Sequence, residues 1–119
     1  MRSISLFFLL GTLLFSATNK ELLTGNYLYK FVQYTTWPQH GNHHIHIISK
    51  DRDLFKAIKV LLHNQHINNK KFILTHNDTS YIPSTASLIF IANDRLFLYE
   101  NIFKKTQGKP LLLVSQEYE

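Results

Sequence analysis

The chain has 119 residues, a formal charge of +5 and no cysteine. The missing cysteines exclude thiol chemistry, iron–sulfur clusters and cysteine zinc sites. Four scattered glycines, Gly11, Gly25, Gly41 and Gly108, exclude the clustered-glycine loops of P-loop and dinucleotide-binding proteins, whose backbone must approach an anion closely.

Along the chain, Met1-Arg2-Ser3 is a short positive start, residues 4–15 are almost continuously apolar, and Ser16, Ala17 and Thr18 are small. This pattern predicts a secretory signal peptide over residues 1–18. The apolar run falls short of the roughly 20 residues that a membrane-spanning helix needs. Residues 19–119 are then expected to be one exported domain of about 100 residues, enough for a single modest core.

A helix is predicted over residues 22–36, with Tyr27, Leu28, Phe31, Tyr34 and Thr35 at helical spacing on one face. Trp37-Pro38 ends it, because proline disfavours helical geometry in the residue before it. A strand is expected over 44–49. Asp51 or Asp53 then caps a helix in which Leu54, Ala57, Ile58, Leu61 and Leu62 form the apolar stripe. Residues 64–69 read as a turn-rich connector, 71–76 as a second strand and 77–85 as a loop. The near-continuous apolar runs at 87–92 and 111–115 read as strands covered on both faces. Between them lies a helix capped by Asn93 or Asp94 that runs to about residue 106 and is broken by Gly108-Lys109-Pro110.

Alternation of helices and apolar strands predicts a three-layer α/β domain, with a mostly parallel four-stranded sheet between helices on both faces. Right-handed crossovers place the first strand beside both the second and the third, giving the order 2-1-3-4.

The chemistry on offer is narrow. His40, His43, His44 and His46 lie close together, and His44 and His46 would share one strand face, as two zinc or copper ligands could. His63 and His66 have i, i+3 spacing near a helix end. The alternative is that all of these are exposed turn and strand-edge residues, with no carboxylate in the first cluster to complete a catalytic site. No G-x-S-x-G elbow surrounds any serine, so no catalytic residue is assigned. No metal or cofactor site is assigned either. Loops 50–52 and 93–95 fall at the carboxyl edge of the sheet, where open α/β folds often bind ligands, although helix caps account for the same residues.

Tyr27, Tyr29, Phe31, Tyr34 and Trp37 make the first helix a candidate core or partner surface. Tyr29 and Gln33 would meet a partner if they face outward. The thirteen Lys and Arg are dispersed rather than set in a stripe with stacking aromatics, so neither DNA nor other nucleic acid is an expected partner.

In order, the leader, Y-L-Y-K-F-V-Q-Y-T-T-W-P, I-H-I-I-S-K, D-L-F-K-A-I, H-I-N-N-K-K-F-I-L-T-H, S-L-I-F-I-A-N-D and G-K-P-L-L-L-V-S together resemble the YfiR/HmsC-like family. The resemblance implies a periplasmic, non-enzymatic α/β regulator. Such a protein binds the periplasmic portion of a membrane-bound diguanylate cyclase or similar signalling protein, of the sensor-kinase type for example. It thereby restrains cyclic-di-GMP signalling and biofilm formation, and it is expected to form a homodimer. The family continues past the last strand with further structure. The expectation here is a fold incomplete at its C-terminus, with sheet edge and apolar surface left uncovered.

Overall fold

The computed structural model describes residues 19–33, 41–67 and 69–116. The leader, Tyr34, the Trp37-Pro38 stop and His40 lie outside the described residues. In chain order the elements are α1 (Asn19–Gln33), β1 (His43–Ile48), α2 (Arg52–Leu62), β2 (His66–Ile67), β3 (Lys70–Asn77), β4 (Leu88–Ile91), a 3-10 helix (Asn93–Leu98), α3 (Tyr99–Thr106) and β5 (Leu112–Ser115).

The sheet has the order β2-β3-β1-β4-β5. β1 runs parallel to β3 and β4, and β4 runs parallel to β5. The four predicted strands therefore adopt the predicted 2-1-3-4 order. The fifth strand is a correction: β2 pairs antiparallel with β3 inside the segment read as a connector. Asn69 turns the chain there at φ 65, a left-handed conformation that asparagine tolerates better than most residues. Two residues of strand are too few to carry a periodicity.

Helices α1 and α2 cover one sheet face. Leu28, Val32, Leu54 and Ile58 pack there with Ile45, Ile47, Leu88 and Phe90. On the other face Ile102 of α3 packs with Ile48, Ile89 and Ile91. Burial on both faces is why β1 and β4 carry runs of large aliphatic residues.

Asp51 is the cap of α2: its carboxylate accepts a hydrogen bond from the Leu54 N–H at 3.1 Å. Replacing Asp51 with Ala is expected to lower stability by about 1 kcal/mol, read as a shift in the urea midpoint. The predicted cap at Asn93 or Asp94 does not form. The stretch begins as a 3-10 helix with no side-chain cap, and Arg95 at φ −128 interrupts it. Asp94 instead accepts from the Ser49 hydroxyl at 3.0 Å and the Lys50 N–H at 2.7 Å, so its oxygens are committed to the β1–α2 turn.

The buried face of α1 also differs from expectation. Glu21, Thr24, Gly25, Leu28 and Val32 are buried, whereas Tyr27 and Phe31 are exposed. The cause is Gly25: a Cβ there would lie 2.5 Å from Leu61 Cδ2, so the missing side chain lets α1 approach α2 closely. That approach turns the small-residue stripe inward and the aromatic stripe outward. Tyr29 is half-buried against Phe72, with ring centroids 5.8 Å apart, and Gln33 is exposed.

Candidate functional site: an apolar groove beside an edge strand

Two regions gather the residues singled out by sequence, and a third gathers residues that sequence did not connect. The first is β1. His44 and His46 share the sheet face covered by α3, as their spacing predicts, but they are buried rather than exposed, and His43 is buried too. The reason is topological: β1 is the middle strand of the sheet, flanked by β3 and β4.

Their ring nitrogens are engaged locally. His43 Nε2 lies 3.0 Å from the Ile67 carbonyl, and its ring sits against Phe72. Thr75 Oγ1 lies 2.7 Å from both His44 Nε2 and His46 Nδ1, and Thr85 Oγ1 lies 2.9 Å from His44 Nδ1. Only His46 Nε2 among these buried ring atoms has no hydrogen-bond partner.

Burial pushes the His46 imidazole down to about 4. The Asn77 side chain and Tyr81 backbone nearby favour the charged form, while His44 and His76 oppose it. Burial lowers His44 as well, partly offset by Thr85. Both rings are therefore held neutral. Among the described residues no three His, Asp or Glu converge as a metal-holding group, and His63 and His66 are exposed near the end of α2 and on β2. The three histidines of β1 act as fasteners: His43 joins it to β2, His44 and His46 join it to β3, and His44 joins it to loop 78–87.

The second region is the carboxyl edge of the sheet. Ser49, Asp51 and Asp94 border a cavity of about 320 Å³ together with Glu21 and Gln116. The two predicted loops do meet here. Their carboxylates are occupied in capping α2 and bridging the loops to each other, which is a structural assignment.

The third region is a groove of about 560 Å³ between α1 and the β4–β5 end of the sheet. Leu23, Tyr27 and Phe31 form its helical wall, Phe90 and Val114 belong to its sheet side, and Lys20 and Gln116 border it as well. Leu23 is 53% exposed and Tyr27 59% exposed. The groove adjoins β5, which is paired only with β4 among the described strands. The N–H groups of Leu112 and Gln116 point toward β4, bonding the Ser87 and Ile91 carbonyls. By alternation, the backbone groups of Leu113 and Ser115 face the open edge.

Sequence reasoning named Tyr27 and Phe31 as core or partner surface, and it did not single out Leu23 or Val114. A signal was available: Leu23, Tyr27 and Phe31 recur at i, i+4 and i+8, a second stripe beside the Thr24, Leu28 and Val32 stripe. No helix among the described residues is long and apolar enough to cross a membrane.

No curated protein and no solved structure matches the chain. The YfiR/HmsC-like family model matches residues 22–119, from the first helix through the last strand and beyond. That match takes in both helical layers, the whole sheet and the groove between α1 and β5, and the chain belongs to the YfiR/HmsC-like family.

Proposed function

We propose that the chain is an exported periplasmic regulator that acts by protein–protein contact, with the groove beside β5 as its contact surface. Its partner in this reading is a membrane-bound diguanylate cyclase or a similar signalling protein. Family membership supports the regulatory class. The observation that carries the surface is the exposed Leu23–Tyr27 wall set next to β5, the edge strand of the sheet among the described residues.

Each half of that arrangement favours a macromolecular partner. Large apolar side chains left in water gain about 25 cal/mol for each Å² that a partner covers. Free N–H and C=O groups on an edge strand offer directional hydrogen bonds to an extended segment. The regulator would shift its partner toward the inactive state only as far as it binds that state more tightly than the active one.

The test is cellular. Co-expression of the chain, with its signal sequence, and a membrane-bound diguanylate cyclase is expected to lower cyclic-di-GMP. The double substitution Leu23→Lys/Tyr27→Lys is expected to abolish the effect without lowering the amount of folded protein, because both residues are exposed. Unchanged cyclic-di-GMP with the native chain, or full activity of the double variant, would contradict the reading.

A further inference from the structure

The half of the α3-side sheet face formed by β1 and β3 carries His44, His46 and Thr75, and loop 78–87 lies over it. Thr85 bonds His44 at 2.9 Å, and the Tyr81 ring meets His46 edge-on with centroids 6.5 Å apart. Asn77 Nδ2 donates to the Tyr81 carbonyl at 3.3 Å. Toward the helical layer, Arg95 Nε donates to the Asp78 carbonyl at 3.0 Å and Lys105 Nζ to the Ser80 carbonyl at 2.8 Å. Apart from Ala86 and Ser87, the loop's residues are exposed or half-buried; Ala86 and Ile82 pack on the Ile102 cluster, and the rest of the loop is held by these few fastenings.

The hydrogen bonds among the fasteners have only one fully satisfactory direction. A hydroxyl has one O–H to donate and lone pairs to accept with, and a neutral imidazole has one N–H and one bare nitrogen. A buried N–H without a partner costs more than a bare ring nitrogen would, so the orphaned His46 Nε2 is the bare one. His46 Nδ1–H then donates to Thr75. The Thr75 O–H donates to His44 Nε2, and His44 Nδ1–H donates to Thr85.

A proton added to His46 lands on Nε2, buried and unpartnered. A proton added to His44 lands on Nε2, where the Thr75 hydroxyl hydrogen already points. The His44 proton breaks the Thr75 link, whereas the His46 proton leaves the links in place but puts a positive charge in a buried site beside His44.

The Asn77 side chain and the Tyr81 backbone favour a charged His46, but burial outweighs them, and the charged and titratable surroundings add no further relief. From β1 and β3, His44 and His76 both oppose a positive His46. β4 contributes only Leu88, Ile89, Phe90 and Ile91. On the loop, Asp78 and Tyr81 are exposed, and Arg95 and Lys105 behind the loop are cations.

We infer that loop 78–87 is an acid-released lid, latched over β1 by the uncharged imidazoles of His44 and His46 through Thr75 and Thr85. This inference is independent of the partner reading above. In acid the two rings take up protons, the lid detaches, and the β1–β3 face is exposed while the β4–β5 half stays folded.

The test is native-state amide exchange on 15N-labelled protein. Protection factors of the hydrogen-bonded Thr79, Tyr81 and Ala86 amides are expected to fall about ten-fold or more between pH about 7 and pH about 4.5, with β4 amides unchanged. The variant His44→Asn/His46→Asn is expected to remove that fall. A native loop that stays protected in acid, or the same fall in the double variant, would overturn the proposal. If the double variant does not fold, the native protein still decides. The Cε1–H shifts of His44 and His46 should titrate with the same midpoint as the loop amides, and midpoints about a pH unit or more apart contradict the latch.

Discussion

Thr75→Val is expected to destabilise the domain by about 3 kcal/mol, because one hydroxyl serves two buried imidazoles and each nitrogen left unpartnered costs about 1–3 kcal/mol. Thr75 Oγ1 sits 2.7 Å from both His44 Nε2 and His46 Nδ1, and valine preserves the shape while removing both links. Thr75→Ser keeps the hydroxyl and loses one methyl, so its cost should stay near 1 kcal/mol. Urea unfolding followed by far-UV circular dichroism measures both. Equal destabilisation by Val and Ser would show that packing, and not the shared hydroxyl, matters at this position.

Ile47→Ala is expected to cost about 3–4 kcal/mol, within the range for removing a large aliphatic side chain from a rigid core. Ile47 is fully buried in the middle strand, opposite Phe90 on β4, and belongs to the cluster that contains Leu54 and Ile58 of α2. A domain of this size has about 5–15 kcal/mol in total, so the variant should melt roughly 15 °C lower or more. Ile73→Ala is the comparison: Ile73 is 43% exposed on β3, and its loss should cost about 1 kcal/mol. Similar melting temperatures for the two variants would contradict the placement of the core on β1.

Much of the architecture was legible because parallel strands buried on both faces write long aliphatic runs, and I-H-I-I and L-I-F-I are such runs. The strand order followed from crossover handedness. Three features were not legible. A two-residue strand such as β2 leaves no pattern. The burial of His44 and His46 depends on Thr75 and Thr85, which lie far along the chain and supply the hydroxyls that make a polar residue tolerable inside. The facing of α1 turns on Gly25 meeting Leu61, a contact between two helices that no single-helix periodicity contains.

The candidate contact surface was half legible. Tyr27 and Phe31 stood out by type, but their exposure and their pairing with Phe90 and Val114 required the sheet to place β5 beside α1. Fold and surface thus rest on different kinds of information. Buried strands announce themselves locally, whereas a groove is made by elements that meet only in three dimensions.

The most direct measurement is calorimetric titration of the purified domain into the periplasmic portion of a membrane-bound diguanylate cyclase, the partner class proposed above. Contact through the α1–β5 groove predicts saturable binding that Leu23→Lys/Tyr27→Lys weakens by roughly 30-fold or more, the equivalent of about 2 kcal/mol for losing an aromatic anchor. No binding by the native domain, or the same affinity in the double variant, would contradict it.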